Sequence, residues 1–397
     1  MKVLINDGMH KAGIDLFHKN EIVTDINKRN PSELVQIIHD FDALVVRSRT
    51  QVSENIIEAG ANGKLKIIGR AGVGYDNVDI KNASKYGIVV KFAPYGNTNS
   101  TAELSLGLMF NVARNIVQSH YSLKQGIWRK KDFEGTELAG KTLGIIGCGR
   151  IGQKLGEKAN ALGMTVIGND PFLEAVCKNF PESKIKYVTK EELLETADYV
   201  SLHISGKDEV IGENEIELMK PSAILINASR GSNINEDALY KALFNKKIRG
   251  AGIDVYRNEP DKEGGVFTSK IINLENVVLT SHLGASTKEA QKETSKEMAQ
   301  VTIDYLLKGD FSNAVNVGET IYSEEEELYN VWVFHEDKPG VFAKIDSIFA
   351  EYNINIRRPD SRKMDGVAIT VYSVQQNVSE EILDKIREIK DIRRVIN

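Results

Sequence analysis

Five side chains in this sequence can move a proton or hold a carboxylate, and each follows an apolar run of strand length. Arg47 follows Ala43–Val46, and Arg230 follows the run and turn Ala223–Ser229. Asp254 ends the run Gly250–Asp254, with Glu259 a few residues on, and His282 follows Val277–Thr280. In parallel α/β sheets ligands bind just beyond the carboxyl ends of strands, so two cations, two acids and an imidazole share one edge. The chemistry that fits is oxidation of a secondary alcohol. An imidazole titrates near neutrality and suits the base that takes the alcohol proton, which points to His282. A carboxylate beside it, Glu259, would orient the ring and stabilise its charged form. An arginine fork, Arg230, would grip a substrate carboxylate and polarise the neighbouring hydroxyl or carbonyl. The hydride that leaves with the proton needs an acceptor that side chains cannot supply.

The stretch 142–170 offers that acceptor a seat. The apolar run Leu143, Ile145, Ile146 leads into Gly147-x-Gly149-x-x-Gly152, a helix-period segment, and a second apolar run, Thr165–Ile167, that ends at Asp170. Gly147 permits a tight turn, Gly149 lets backbone approach a pyrophosphate, and Gly152 lets the helix pack close to the sheet. N–H groups at the helix start would face the phosphates. The Asp170 carboxylate suits ribose hydroxyls and would repel a 2′-phosphate, and no Lys or Arg follows it until Lys178, so NAD is expected over NADP.

Strands and helices alternate around these residues. Strands are expected at Val3–Asn6, Ala43–Val46, Ile67–Gly69 and Ile88–Val90, with helices such as Pro31–Phe41 and Asn77–Tyr86 between them. Residues 1–95, rejoined by 286–317, therefore form a doubly wound parallel-sheet domain, and residues 96–285 form the cofactor domain. The break at Pro94 and Gly96 precedes a long helix for which Ser100 and Glu103 form a capping box. Strands at Tyr199–His203, Ala223–Asn227, Gly250–Asp254 and Val277–Thr280 are followed by a helix from Thr287 to about Lys308. The polar stretch 318–327, with four consecutive glutamates, reads as a linker. Residues 328–397 run strand, helix, strand, strand, helix, strand, the pattern of a ferredoxin-like module.

Composition narrows the setting. A chain of 397 residues with net charge −5 is ill suited to nucleic acid or a membrane surface. Two cysteines, Cys148 and Cys177, imply no disulfide framework and a reducing, cytoplasmic location, and no apolar run reaches membrane-spanning length. No metal site is expected.

Several motifs carry a resemblance over nearly the full length. They are Val46-Arg47-Ser48-Arg49-Thr50, Gly69-Arg70-Ala71-Gly72-Val73-Gly74, Gly96-Asn97-Thr98, the glycine turn, Leu225–Gly231, Asp254–Pro260 and Thr280–Gly284. The sequence resembles the D-isomer-specific 2-hydroxyacid dehydrogenases, most closely the branch acting on 3-phosphoglycerate with one ACT domain. The resemblance implies a flavodoxin-like substrate domain, a Rossmann cofactor domain and an ACT module. Arg230, Glu259 and His282 match the family's catalytic trio. Arg47, Ser48, Gly72, Val73, Gly74 and Asn97 would meet the carboxylate and phosphate end of the substrate. Arg150 and Ile151 would lie over the pyrophosphate, Asp254 would reach the nicotinamide amide, and Ala228 and Gly284 would also line the cofactor. The stretch Trp128–Phe133 resembles one that enters a neighbouring subunit, so Lys130 or Lys131 would touch phosphate across a dimer or tetramer interface. A solvated basic turn is the competing reading.

The loop after His203 (His203–Gly212) departs from the family pattern, which leaves its cofactor contacts open, and His203 itself reads as structural. In the ACT module His335 and Asn355 match a serine-binding set, whereas Asp337 stands where an asparagine is usual. L-Serine feedback is the expectation and a bare dimerisation module the alternative. Rival functions are another 2-hydroxyacid dehydrogenase, acting on glycerate or hydroxypyruvate, and a non-catalytic NAD-sensing protein.

Overall fold

The computed structural model describes residues 1–260, 264–317, 329–364 and 367–396; the expected linker, 318–327, lies outside the described residues. The chain divides into two compact units, Met1–Gly96 with Gln291–Asn397, and Asn97–Ala290.

The first unit holds a parallel sheet of β1 (Lys2–Ile5), β2 (Val23–Asp25), β3 (Ala43–Val46), β4 (Ile67–Arg70) and β5 (Val89–Phe92). Its order, β2-β1-β3-β4-β5, is that of a flavodoxin-like fold. β3 is buried at all four positions, as a strand covered on both faces must be. The second unit holds β6 (Thr142–Ile146), β7 (Thr165–Asn169), β8 (Lys186–Tyr187), β9 (Tyr199–Leu202), β10 (Ile224–Asn227), β11 (Gly250–Ile253) and β12 (Val277–Leu279). The order β12-β11-β10-β9-β6-β7-β8 is the Rossmann arrangement extended by one strand, and it reverses direction between β6 and β9.

The expected long helix is two. Thr98–Arg114 ends at Asn115, whose φ of 51° is left-handed, and Ile116–Lys124 follows. Asparagine tolerates that conformation better than most residues, so the break falls where the sequence allows it. The expected Ser100–Glu103 capping box does not form. Ser100 is buried and its hydroxyl donates to the Gly284 carbonyl at 2.7 Å, while Glu103 pairs with Asn99 and Lys158.

The C-terminal sheet, β13 (Tyr329–Glu336), β14 (Ile356–Met364), β15 (Val367–Val374) and β16 (Ile392–Ile396), is antiparallel in the order β14-β15-β13-β16. One face packs on its own helices through Val331, Val333, Tyr372 and Val374. The other face is buried too at its central strands. Trp332, Phe334, Ile369 and Val371 join one core with the helix Lys288–Lys308, Phe311 and the N-terminal sheet. The Trp332 ring lies tilted against Phe311, with centroids 5.9 Å apart, and stands where a side chain on Gly309 would be. Nearby, the fully buried Lys91 ammonium pairs with Asp310 at 3.1 Å, and Arg394 donates to the Leu65 carbonyl.

Truncating Trp332 would open a cavity that no flexible neighbour can fill. Trp332→Ala is expected to cost about 3–5 kcal/mol, with Trp332→Phe recovering part of it. Denaturant unfolding of the full chain measures this, and unchanged stability would mean that the sheet face carries no packing energy.

Candidate active site

In the second unit the glycine turn meets the steric demands its spacing implies. Gly147 has φ of 93°, and a Cβ there would meet the His203 carbonyl at 2.6 Å. A Cβ on Gly152 would meet the Gly147 carbonyl at 2.3 Å, so the helix Arg150–Ala161 lies against the turn. A Cβ on Gly149 would meet no other part of the chain within 4 Å, which leaves room in front of the helix N-terminus. Asp170 follows β7 half-buried, accepting the Cys148 N–H at 2.7 Å and the Phe172 N–H at 2.8 Å. Arg150 and Ile151 open the helix. These groups fit the diphosphate and ribose of a dinucleotide.

Beyond β10, β11 and β12 stand the three expected reacting residues. His282 sits in the left-handed region at φ of 57°, and its Nδ1 lies 2.8 Å from Glu259 Oε2. An Nδ1–H donated to that carboxylate leaves Nε2 as the basic nitrogen. The hydrogen bond to Glu259 outweighs burial and raises the His282 pKa above its ordinary value. Burial pushes Glu259 up, but the His282 bond and charge, the Tyr256 N–H and the Arg230 charge together hold it low. Arg230 donates to the Ser229 carbonyl at 2.8 Å, and Asn227 Nδ2 and the Asn233 N–H both donate to the Arg230 carbonyl.

Asp254 is wholly buried and does internal work. Its Oδ1 accepts from Thr280 Oγ1 at 2.6 Å and the Leu283 N–H at 2.7 Å, and Oδ2 accepts the Gly284 N–H at 3.0 Å. Burial raises its pKa despite these donors. Ala228 stands half-buried beyond β10.

In the first unit Arg47 and Ser48 follow β3, and Gly72, Val73 and Gly74 follow β4. Sequence reasoning passed over the residues that shape this edge. Asp7, just after β1, accepts the N–H groups of Arg47 at 2.7 Å and Thr50 at 3.1 Å, and Asn77 donates to the Arg47 and Thr50 carbonyls. An acid one residue past a strand beside the reversal point was the available signal. Burial lowers the Arg47 pKa against the pull of Asp7. Asn97 lies in the second unit, at the N-cap position of the helix Thr98–Arg114 but without a side-chain capping bond. Lys130 and Lys131 lie exposed in the 3-10 turn Lys130–Phe133.

In the C-terminal module, His335 is 2% exposed, with Nδ1 on the Glu336 carbonyl and Nε2 on Thr370 Oγ1, both at 2.8 Å. Asp337 pairs with Lys363 at 2.7 Å, and exposed Asn355 lies 3.0 Å from the Gln375 amide. Both ring nitrogens of His335 are thus taken up inside the module.

His203 lies at the β6/β9 reversal point, with Nε2 2.9 Å from Ser201 Oγ. Burial depresses its pKa to about 4. Because the folded value lies below the unfolded one, the unfolded chain gains its proton first as pH falls. Stability should therefore drop between about pH 6.5 and pH 4, by about 3 kcal/mol from this residue. Denaturation of His203→Gln across that range should show a correspondingly flatter loss, and an unchanged slope would clear His203 as its source.

Comparison with known proteins agrees with this geometry. Residues 106–284 match the family model described as D-isomer specific 2-hydroxyacid dehydrogenase, NAD binding domain, and residues 331–391 match the ACT domain. A D-3-phosphoglycerate dehydrogenase of Methanocaldococcus jannaschii is 42% identical over 80% of this chain and 60% of its own length. The chain thus spans less than two thirds of that relative. A hydroxypyruvate reductase of Thermotoga maritima is 40% identical over 75% of this chain and 96% of its own. A D-3-phosphoglycerate dehydrogenase of Haemophilus influenzae is 35% identical over 98% of this chain and 95% of its own. With its Rossmann turn, its Arg230, Glu259 and His282 and its near full-length relatives, the chain belongs to the D-isomer-specific 2-hydroxyacid dehydrogenase family and carries an ACT domain.

Proposed function

We propose that the protein oxidises 3-phospho-D-glycerate to 3-phosphohydroxypyruvate with NAD, the first step of serine biosynthesis. The observation that carries this reading is the 2.8 Å His282–Glu259 pair, placed beyond the Rossmann sheet with Arg230's charge acting on both. Nε2 of His282 takes the hydroxyl proton, and Glu259 stabilises the imidazolium that results. Arg230 holds the carboxylate of the hydroxy acid and polarises the oxygen that becomes the carbonyl. The dinucleotide, seated on the Gly147–Gly152 turn and Asp170, supplies the hydride acceptor. Arg47, Ser48, the Gly72–Gly74 backbone and Asn97 meet the acid and phosphate end, with Lys130 or Lys131 contributed by a second copy.

A second reading is oxidoreduction of glycerate and hydroxypyruvate, favoured by the Thermotoga relative. Arg47 and Arg49 together argue for the phosphorylated substrate. The presence of all three reacting residues argues against a non-catalytic NAD sensor. A homo-oligomer, dimer or tetramer, is supported by the exposed apolar side chains Ile116, Tyr121, Leu123 and Trp128, the last 80% exposed. For an amino-acid effector such as L-serine, the support is the ACT match. Binding through His335, Asp337 and Asn355 requires His335 to give up the Glu336 carbonyl or Thr370, and Asp337 to loosen from Lys363. The low cysteine count and free Cys148 and Cys177 support a cytoplasmic location, and no helix of the described residues is long and apolar enough to cross a membrane.

Initial rates over a panel of 2-hydroxy acids, each with and without phosphate, test the substrate. Phosphoglycerate should be preferred, and charge removal at Arg47, Lys130 or Lys131 should raise KM for it alone; equal losses for both compound types would reject phosphate reading. NAD should be preferred over NADP by on the order of 100-fold, from repulsion at Asp170.

His282→Ala should lower kcat by roughly 100-fold or more. Oxidation requires neutral His282, so activity should rise with pH through an inflection above the free-histidine value. Glu259→Gln removes the principal cause of that elevation and should move the inflection to lower pH. An inflection that stays put in Glu259→Gln would detach Glu259 from the base.

A further inference from the structure

The loop after β9 departs from the family pattern, yet it is bound tightly to the segment that carries Arg230. Asn233 makes the connection. It is wholly buried, and all its polar groups are used. Its Nδ2 donates to the Gly206 carbonyl at 2.9 Å and the Asp208 carbonyl at 2.8 Å. Its Oδ1 accepts from Ser229 Oγ at 3.0 Å, its N–H donates to the Arg230 carbonyl at 3.1 Å, and its own carbonyl accepts the N–H groups of Val210 and Ile211.

A second tie closes the same assembly from outside. Arg257 Nη2 donates to Glu209 Oε2 at 3.0 Å and to the Ser232 carbonyl at 3.1 Å, and Asn235 Nδ2 lies 3.2 Å from both Glu209 oxygens. Arg257 stands between Tyr256, whose N–H holds Glu259, and the catalytic segment after β10. A Cβ on Gly231 would meet the Tyr256 carbonyl carbon at 2.0 Å, so the two loops touch backbone to backbone. Arg230 thus projects from a turn in which Ser229 is bonded to Asn227 and Asn233, and Gly231 lies against the Tyr256 backbone.

We propose that Asn233 is a positioning residue for Arg230, with Arg257 supporting it. Through Asn233 the 203–212 loop sets where the Arg230 guanidinium stands, although neither Asn233 nor Arg257 touches substrate. The proposal rests on the reading of Arg230 as the carboxylate-binding arginine. An isosteric carboxylate at 233 keeps the volume but removes both donors to the Gly206 and Asp208 carbonyls and buries a charge beside the Ser229 hydroxyl. A guanidinium displaced by even about 1 Å loses much of its effect on rate.

The test is a double-mutant cycle on the full chain, using phosphoglycerate or whichever 2-hydroxy acid the panel selects, with melting temperature followed in parallel. Asn233→Asp should lower kcat/KM about ten- to a hundredfold in the parent and threefold or less in the Arg230→Lys background. Arg257→Met alters only a partly exposed side chain and decides the matter if Asn233→Asp does not fold. It should cost at least threefold in the parent and nothing measurable in Arg230→Lys. Losses that multiply independently of Arg230, or that vanish from kcat/KM while the melting temperature falls, overturn the positioning role. A parent inactive on every 2-hydroxy acid would instead overturn the proposed function.

Discussion

A single buried carboxylate organises the catalytic edge. Asp254 follows β11 with no exposed surface, and three donors from the β12 loop converge on it. A charge so buried is costly unless it is fully hydrogen-bonded, so the loop that supplies the donors has little freedom to be elsewhere. The His282 N–H also donates to the Asp254 carbonyl. That enclosure holds His282 in a left-handed conformation costing about 1–2 kcal/mol, and so turns the imidazole toward Glu259. From Gly284 the same loop passes its carbonyl to Ser100, tying the histidine to the start of the helix Thr98–Arg114. Asp7 plays the corresponding part in the first unit by gathering the N–H groups of the Arg47 loop. In each unit one acid just past a strand end shapes a loop that carries residues of the proposed site.

What the sequence made legible was local or periodic. The glycine turn and Asp170 announce themselves because each glycine answers a steric demand within a few residues, and alternation of apolar runs with helical periods suffices for parallel sheets. The candidate reacting residues could be named because strand ends are visible in sequence. Their contacts could not, since Glu259 and His282 are 23 residues apart and only the fold closes that gap. Ser100 was misread because a capping box is a local inference and the hydroxyl found a distant partner. Asn233 was invisible for the same reason. An asparagine beside a turn reads as turn chemistry, and its burial comes from a loop more than twenty residues away.

The docking of the C-terminal sheet was also missed, although a trace of it exists. Val367–Val374 is buried at all eight positions. A strand with one wet face should alternate, whereas this one is apolar or neutral almost throughout, the mark of a sheet covered on both sides. The acidic stretch before it suggested an independent module, and composition alone does not reveal which surfaces later meet.

That docking, and the division of the first unit between two ends of the sequence, bear on how the chain is made. Val3, Ile5 and Phe17 share a core with Met298, Tyr305, Phe311 and Trp332. The second unit, by contrast, is one unbroken stretch from Asn97 to Ala290. On the ribosome the earliest strands must therefore wait while the whole intervening unit is synthesised, a delay of roughly 10–40 s at ordinary elongation rates. During that interval one face of the β1–β5 sheet lacks its cover, while the later-made Rossmann unit has everything it needs to close. The order of folding is thus inverted relative to the order of synthesis, and the strands β1–β5, made before the segment that covers them, are those most in need of a chaperone.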